Sequence, residues 1–268
     1  MNARGLSAII TIAKYFDEGE LLRIMNSTNG IITVFAGSAS RPFAQKMCDY
    51  LGVELGKSTT HIFSEGGIYV RADESIRNKD VYIVQSIGKD PNNAFTELIF
   101  WIDAFKRASA NSITAIIPYF GYAKADKKDE PRVSIRARVC ADCIEMCGAD
   151  RVVTMDLHAA QVQGFFSKPV DHLYASALLC EYARHLGIVN ENLVVVSPDA
   201  GSAKRARAYA NILGCNVAIG DKVRIGHDEN PNALEIIGDV KGKTCMVVDD
   251  FTISGNTLCK VAYGLMDK

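Results

Sequence analysis

Short apolar runs alternate with helical stretches along most of this chain, and that alternation constrains its fold more than any other feature. The runs fall at 31–36, 81–85, 113–117, 152–155, 193–196, 216–219 and 245–248, and Val and Ile dominate them. Near-continuous apolar runs of this kind predict strands buried on both faces of a sheet. Helical patterns lie between them. The clearest, over 93–108, puts Phe95, Leu98, Ile99, Ile102 and Phe105 on one stripe. Another covers 203–213, and a third begins near Pro42, a residue suited to a first helical turn. Strand and helix repeated in this order predict an α/β fold of parallel sheets under right-handed crossovers.

Ligands of open parallel sheets bind beyond the C-terminal strand ends, and the polar motifs of this chain follow its strands there. They come after Ile117, after Met155, after Val196 and after Val248. The last is the richest. In KTCMVVDDFTISGNTL (243–258) an apolar run stops at Asp249 and Asp250, and a turn of Thr252, Ser254, Gly255 and Thr257 leads into a helical pattern. Backbone N–H groups of such a turn and a helix N-terminus attract phosphate. Paired carboxylates can accept hydrogen bonds from ribose hydroxyls or hold a divalent cation. A capped helix after a core strand, with both Asp residues merely solvated, is the competing reading of the same residues.

After Ile117 comes PYFGYAKADKKDEPR, where Tyr119, Phe120 and Tyr122 stand beside Lys124, Lys127, Lys128 and Arg132. Aromatic rings offer a base something to stack on and cations neutralise phosphates, so the loop reads as a nucleotide contact. His158, after the strand ending at Met155, is either a metal ligand or a structural imidazole.

The remaining composition excludes several classes. The chain has 268 residues, 48% of them apolar, and a net charge of −1. That balance gives no nucleic-acid or membrane field. Eight cysteines lack metal-like spacing, and Cys140, Cys143 and Cys147 fall at helical intervals, as small buried hydrophobes in a reducing cytosol do. The apolar run 6–13 is too short to span a bilayer, and no signal-peptide cleavage site follows it. These features predict a soluble, cytoplasmic protein. Residues 1–30 read as a partly helical extension ending at Asn29-Gly30. Two halves follow, 31–170 and 171–268, with a soft boundary near Asp171 and no Pro/Gly linker.

The phrases IPYFGYAKADKKD, VVTMDLHAAQVQGFF, PVDHLYA, VVSPDAGSAKRA and VVDDFTISGNT, in this order and spacing, resemble the ribose-phosphate pyrophosphokinase family, the synthetases of phosphoribosyl pyrophosphate (PRPP). The resemblance runs from about Ile31 to the last residue. It implies two flavodoxin-like halves, each similar to a type I phosphoribosyltransferase domain, with the active site between them and at a subunit contact. It implies ATP and ribose 5-phosphate as substrates, Mg²⁺ as cofactor, and a homo-oligomer built from dimers, with a hexamer among the options. By the same resemblance, His158 and Asp199 are metal ligands, Asp249 and Asp250 face the ribose hydroxyls, and Thr252, Ser254, Gly255, Asn256 and Thr257 hold the 5-phosphate. Lys222 and Arg224 match a Lys-x-Arg pair on a catalytic loop, which 228–232 keeps polar. Phe63 and Glu65 match an adenine-side loop usually supplied by a neighbouring subunit, and Lys124, Lys128 and Asp129 fall in the nucleotide-contacting loop.

Departures from the family pattern sit mostly on the nucleotide side. Glu65-Gly66-Gly67 stands where Asp-Gly-Glu is common, and Lys124-Ala125 where Arg-Gln is, which loses a planar fork that Lys cannot reproduce. Ile253 replaces a common third Asp of the sugar loop, Asn256 a Gly, and Ser202 the second Gly of a pair. The segment 171–268 also reads as a shortened C-terminal half. Two other functions share parts of the pattern: a non-catalytic regulatory homologue of the synthetase, and a phosphoribosyltransferase, which needs neither His158 nor the aromatic-basic stretch.

Overall fold

The computed structural model describes residues 32–222 and 234–268. The extension 1–30 and Arg224 therefore lie outside the described residues, as does the polar stretch 228–232. The described chain forms two units that part between Tyr174 and Ala175.

The first unit is built on a five-stranded sheet of β1 (Ile32–Ala36), β4 (Asp80–Val84), β5 (Ser112–Ile117), β6 (Arg151–Met155) and β7 (Val170–Leu173), in that spatial order. Every pairing in it is parallel. A further parallel bridge, Val34 to Leu55, extends the sheet on the other side of β1. The chain thus leaves β1 towards one edge and returns towards the other, so β1 is a topological switch point. Helices α1 (Arg41–Leu51), α2 (Pro91–Arg107) and α3 (Arg136–Cys147) connect the strands. An antiparallel hairpin, β2 (Ser58–Ile62) and β3 (Ile68–Ala72), stands apart from the sheet. The boundary expected near Asp171 falls inside β7, whose pairing of Asp171 with Val153 keeps it in the first sheet.

The stripe on α2 behaves as its periodicity dictates: Leu98, Ile102 and Phe105 are buried with Trp101 and Phe35 in one cluster. Phe35 packs on Phe105 with ring centroids 4.8 Å apart, and Trp101 lies 5.2 Å from Phe105. Asp90 caps this helix by accepting from the Asn93 N–H at 3.4 Å, and Pro91 occupies its first turn.

The second unit holds a four-stranded sheet in the order β10 (Leu234–Ile237), β9 (Asn216–Lys222), β8 (Leu193–Ser197), β11 (Thr244–Val247). β8 pairs in parallel with both β9 and β11, and β10 is an antiparallel edge. Helices α4 (Ser176–His185), α5 (Ala203–Leu213) and α6 (Asn256–Met266) complete it. β8 is buried along its whole length, as its LVVV run requires. The chain goes from β8 to β9 on one side and comes back to β11 on the other, so the gap between β8 and β11 is a second switch point.

The cysteines among the described residues are free thiols. Burial pushes Cys140 up to about 12, so it is an inert core residue at neutral pH. Among the described residues no helix is long and apolar enough to cross a membrane.

Candidate active site

Asp199 follows β8 and Asp249–Asp250 follow β11, so the two motifs meet at the switch point of the second sheet. One serine joins them. The Ser202 N–H donates to Asp199 Oδ1 at 2.8 Å, and the Ser202 hydroxyl donates to Asp249 Oδ1 at 3.4 Å. The Ser197 hydroxyl donates to the Asp199 carbonyl at 2.6 Å and fixes the turn leaving β8. Within the acidic pair, the Asp250 N–H donates to Asp249 Oδ1 at 2.9 Å and the Phe251 N–H to Asp250 Oδ1 at 3.0 Å. Arg205 on α5 places Nη2 3.9 Å from Asp250 Oδ2.

This arrangement leaves an excess of negative charge. Burial, then the Asp250 side chain, then the charges of Asp250 and Asp199 hold the Asp249 carboxyl above its ordinary value, against one backbone N–H that pulls it down. The three carboxylates do not form a closed ligand set: among the described residues no group of three or more His, Cys, Asp or Glu side chains is arranged to hold a metal. They are hard oxygen donors with the Arg205 guanidinium nearby, a set that suits hydroxyl groups or a hard dication completed by ligand oxygens.

The turn after Asp250 is pinned by its own hydroxyls. The Gly255 N–H donates to Thr252 Oγ1 at 3.0 Å and the Asn256 N–H to Ser254 Oγ at 3.4 Å. Gly255 caps α6 with φ +74°, a left-handed conformation that other residues adopt at a cost. The N-terminus of α6 therefore opens beside the acidic pair, with Thr257 in its first turn. Ile253 in the same turn is 86% exposed.

In the first unit, His158 is exposed just past the end of β6. The turn before it is held by β7: the Asp156 N–H donates to the Leu173 carbonyl and the Leu157 N–H to His172 Nε2, both at 2.9 Å. Asp156 has φ +45°, so the chain reverses direction there in a conformation unusual for a side-chain-bearing residue. His158 belongs to the first unit and Asp199, Asp249 and Asp250 to the second.

In the loop after β5, two of the aromatic side chains pack against the protein. Phe120 is buried in the main cluster and cannot stack on a ligand. Tyr122 packs edge-on against Phe95 at 6.1 Å, and its hydroxyl donates to Asn92 Oδ1. The aromatic residues thus anchor the loop, and Gly121 lets it run close to Ile87, whose carbonyl would lie 2.2 Å from an added Cβ. Lys124, Lys128 and Asp129 are exposed, as are Lys127, Glu130 and Arg132.

Phe63 and Glu65 sit at the exposed tip of the β2–β3 hairpin, which the Phe63 N–H closes on the Gly67 carbonyl at 2.8 Å. His61, Phe63 and Tyr69 stack edge to face there, at 4.9 and 6.3 Å. Lys222 is the last residue of β9, paired with Leu234, so the segment expected to be loop is strand up to that point.

Sequence reasoning missed Ser202, Arg205 and a buried carboxylate. Glu97 on α2, only 3% exposed, accepts from the Ser38 N–H at 2.9 Å, Gln85 Nε2 at 2.9 Å, Thr60 Oγ1 at 3.3 Å and Trp101 Nε1 at 3.3 Å, and also from the Ser38 hydroxyl. It ties the turn after β1 to β4 and the hairpin. A Glu within the apolar stripe of 93–108 was the available signal.

Residues 32–148 match the model of the N-terminal domain of ribose phosphate pyrophosphokinase, and 175–268 match the phosphoribosyl transferase domain. Ribose-phosphate pyrophosphokinase 2, chloroplastic, of Arabidopsis thaliana is 43% identical over 94% of this chain and 63% of its own length. The chain thus spans under two thirds of that relative. Ribose-phosphate pyrophosphokinase of Agrobacterium fabrum is 46% identical over 88% of the chain and 75% of its own. The crystal structure of phosphoribosylpyrophosphate synthetase from Mycobacterium smegmatis superposes with a TM-score of 0.82 at 40% identity, over 88% of this chain and 76% of that one. The chain belongs to the ribose-phosphate pyrophosphokinase family.

Proposed function

We propose that this protein transfers the β,γ-diphosphoryl group of ATP to O1 of ribose 5-phosphate, giving PRPP and AMP. The observation that carries the reading is the meeting of Asp199, Asp249, Asp250 and the α6 N-terminus at one switch point. A pentose phosphate satisfies both parts. Its 5-phosphate takes the N–H groups at the start of α6, with Ser254, Asn256 and Thr257, and its hydroxyls take Asp249 and Asp250.

The chemistry asks the protein mainly to position reactants and neutralise charge. Asp249 and Asp250 orient the sugar so that its O1 faces the diphosphoryl group. Lys222 and Arg224 are the cations assigned to the charge that develops during transfer. The exposed Lys124, Lys128 and Asp129, with Phe63 and Glu65 from a neighbouring copy in a homo-oligomer, take the nucleotide. His158 and Asp199 are the residues assigned to Mg²⁺, and the carboxylate oxygens of the second unit are donors that suit such a hard dication. When bound, that ion neutralises phosphate oxygens. The reading places the protein in the cytoplasm, without nucleic-acid or membrane partners.

The test is AMP release from ATP, dependent on both Mg²⁺ and ribose 5-phosphate. ADP as the nucleotide product, or a base-dependent consumption of PRPP, overturns it. A regulatory homologue is the second reading, favoured by the nucleotide-side departures Glu65-Gly66-Gly67 and Lys124-Ala125. That homologue releases no AMP alone and changes the rate of an active synthetase.

A further inference from the structure

We infer that His172 is a positioning residue for His158, acting through the Leu157 backbone. The inference rests on the proposed diphosphoryl transfer for its catalytic consequence and on geometry for its structural one. β6 ends at Met155, and the positive φ of Asp156 turns the chain out of the sheet. The next N–H, that of Leu157, leaves the strand ladder while its side chain stays buried. A buried N–H left without an acceptor is costly. The Leu173 carbonyl of β7 is already engaged by the Asp156 N–H, and His172 Nε2 meets Leu157 at 2.9 Å.

The ring is itself held on another side. Tyr174 packs against it in a tilted arrangement, with centroids 4.3 Å apart. Because a backbone N–H can only donate, Nε2 must carry its lone pair, so the neutral ring bears its proton on Nδ1. Two bonds from the edge strand, one from backbone and one from His172, therefore set the path of the turn that presents His158.

The test uses a pair of variants. His172→Phe keeps an aromatic ring against Tyr174 but removes the acceptor. His172→Gln puts an amide oxygen at the same number of bonds from Cβ as Nε2. We expect turnover to fall about 10- to 100-fold in the Phe variant, as for other residues that orient a ligand side chain. The KM for ribose 5-phosphate changes far less, and the Gln variant recovers most of the loss. In metal-free protein, Leu157 amide exchange speeds up and the His158 ring resonances move in the Phe variant, and both return in the Gln variant. Unchanged Leu157 protection and His158 resonances in the Phe variant overturn the inference, as does equal damage in both variants. Should the parent release no AMP, the functional reading fails, and the two metal-free readouts still decide this one.

Discussion

Arg205 Nη2 stands 3.9 Å from Asp250 Oδ2, an ion pair that ties the helix after β8 to the tip of β11. Both side chains are largely buried. The two carboxylates adjacent in sequence are therefore unequal. Asp250 has a guanidinium nearby, whereas Asp249 is raised by burial, Asp250 and Asp199. Asp250 thus lies beside a cation held by the fold, whereas Asp249 accepts only neutral donors, the Ser202 hydroxyl and the Asp250 N–H, among the contacts described above.

Removing the guanidinium should expose that asymmetry. Arg205→Met keeps the apolar stem and leaves Asp250 beside Asp249 without its cation. The expected loss is about 1–3 kcal/mol of stability. Adding Asp250→Asn to the Met variant should return part of it, because residues in contact couple. Denaturant unfolding of the four proteins gives the coupling. Additive effects would mean that the 3.9 Å pair contributes nothing.

Asp249 makes a pH prediction. An acid whose pKa is raised on folding contributes stability that is complete below the unfolded value and is lost as pH rises through the folded one. At neutral pH the ionised Asp249 therefore weighs against the fold. Asp249→Asn should raise stability at pH 7 by about 0.5–1 kcal/mol, a small figure because the group is half exposed and screened. The gain should shrink as pH falls towards the ordinary value of 3.8. Ribose 5-phosphate binding should weaken in the same variant. Thermal melts across pH settle the sign: a variant less stable than the parent at pH 7 refutes the charge argument.

Glu97 yields the opposite kind of residue, one whose loss harms the fold. Glu97→Leu leaves the Ser38 N–H, Gln85 Nε2 and the Trp101 indole N–H without their carboxylate. Breaking such a buried network should cost about 3 kcal/mol. In a chain of this size that lowers the melting temperature by roughly 6–12 °C. A loss confined to activity, with unchanged melting, would contradict the network's structural role.

The elements visible in the sequence were those whose burial leaves a clear pattern, one stripe on a long helix or both faces of a strand. The stripe of α2 and the all-apolar β8 could be read because packing reinforces local pattern. The β2–β3 hairpin could not: STTHI has little apolar content, and β2 has no buried residue. β7 escaped because four residues, all half-buried, carry no periodicity. Phe120 misled for a different reason. An aromatic beside lysines fits a ligand platform and a core anchor equally well, and the burial of Phe120 in the main cluster decides between them. Within the site, Asp249 and Asp250 were legible as strand-end carboxylates, and Asp199 only through the resemblance carried by VVSPDAGSAKRA. Ser202 and Arg205 were not, because their roles depend on β8 and β11 being neighbours, which spacing along the chain does not encode.

The last prediction concerns Gly255, where backbone conformation and ligand binding meet. Its φ of +74° caps α6, and the Cβ of an added side chain meets nothing within 4 Å. Among the described residues no neighbour crowds this position, so Gly255→Ala tests backbone strain. The left-handed conformation should cost about 1–2 kcal/mol. The chain can relieve this by shifting the turn, which breaks the bond from the Gly255 N–H to Thr252 Oγ1. Either route disturbs the N–H groups that open α6. The KM for ribose 5-phosphate should therefore rise, while that for ATP, whose assigned residues lie elsewhere, should hardly move. Steady-state kinetics with each substrate varied in turn, beside a thermal melt, separates the effects. Equal rises in both constants would show general damage to the second unit. An unchanged ribose 5-phosphate constant in a destabilised protein would remove the α6 N-terminus from the phosphate site.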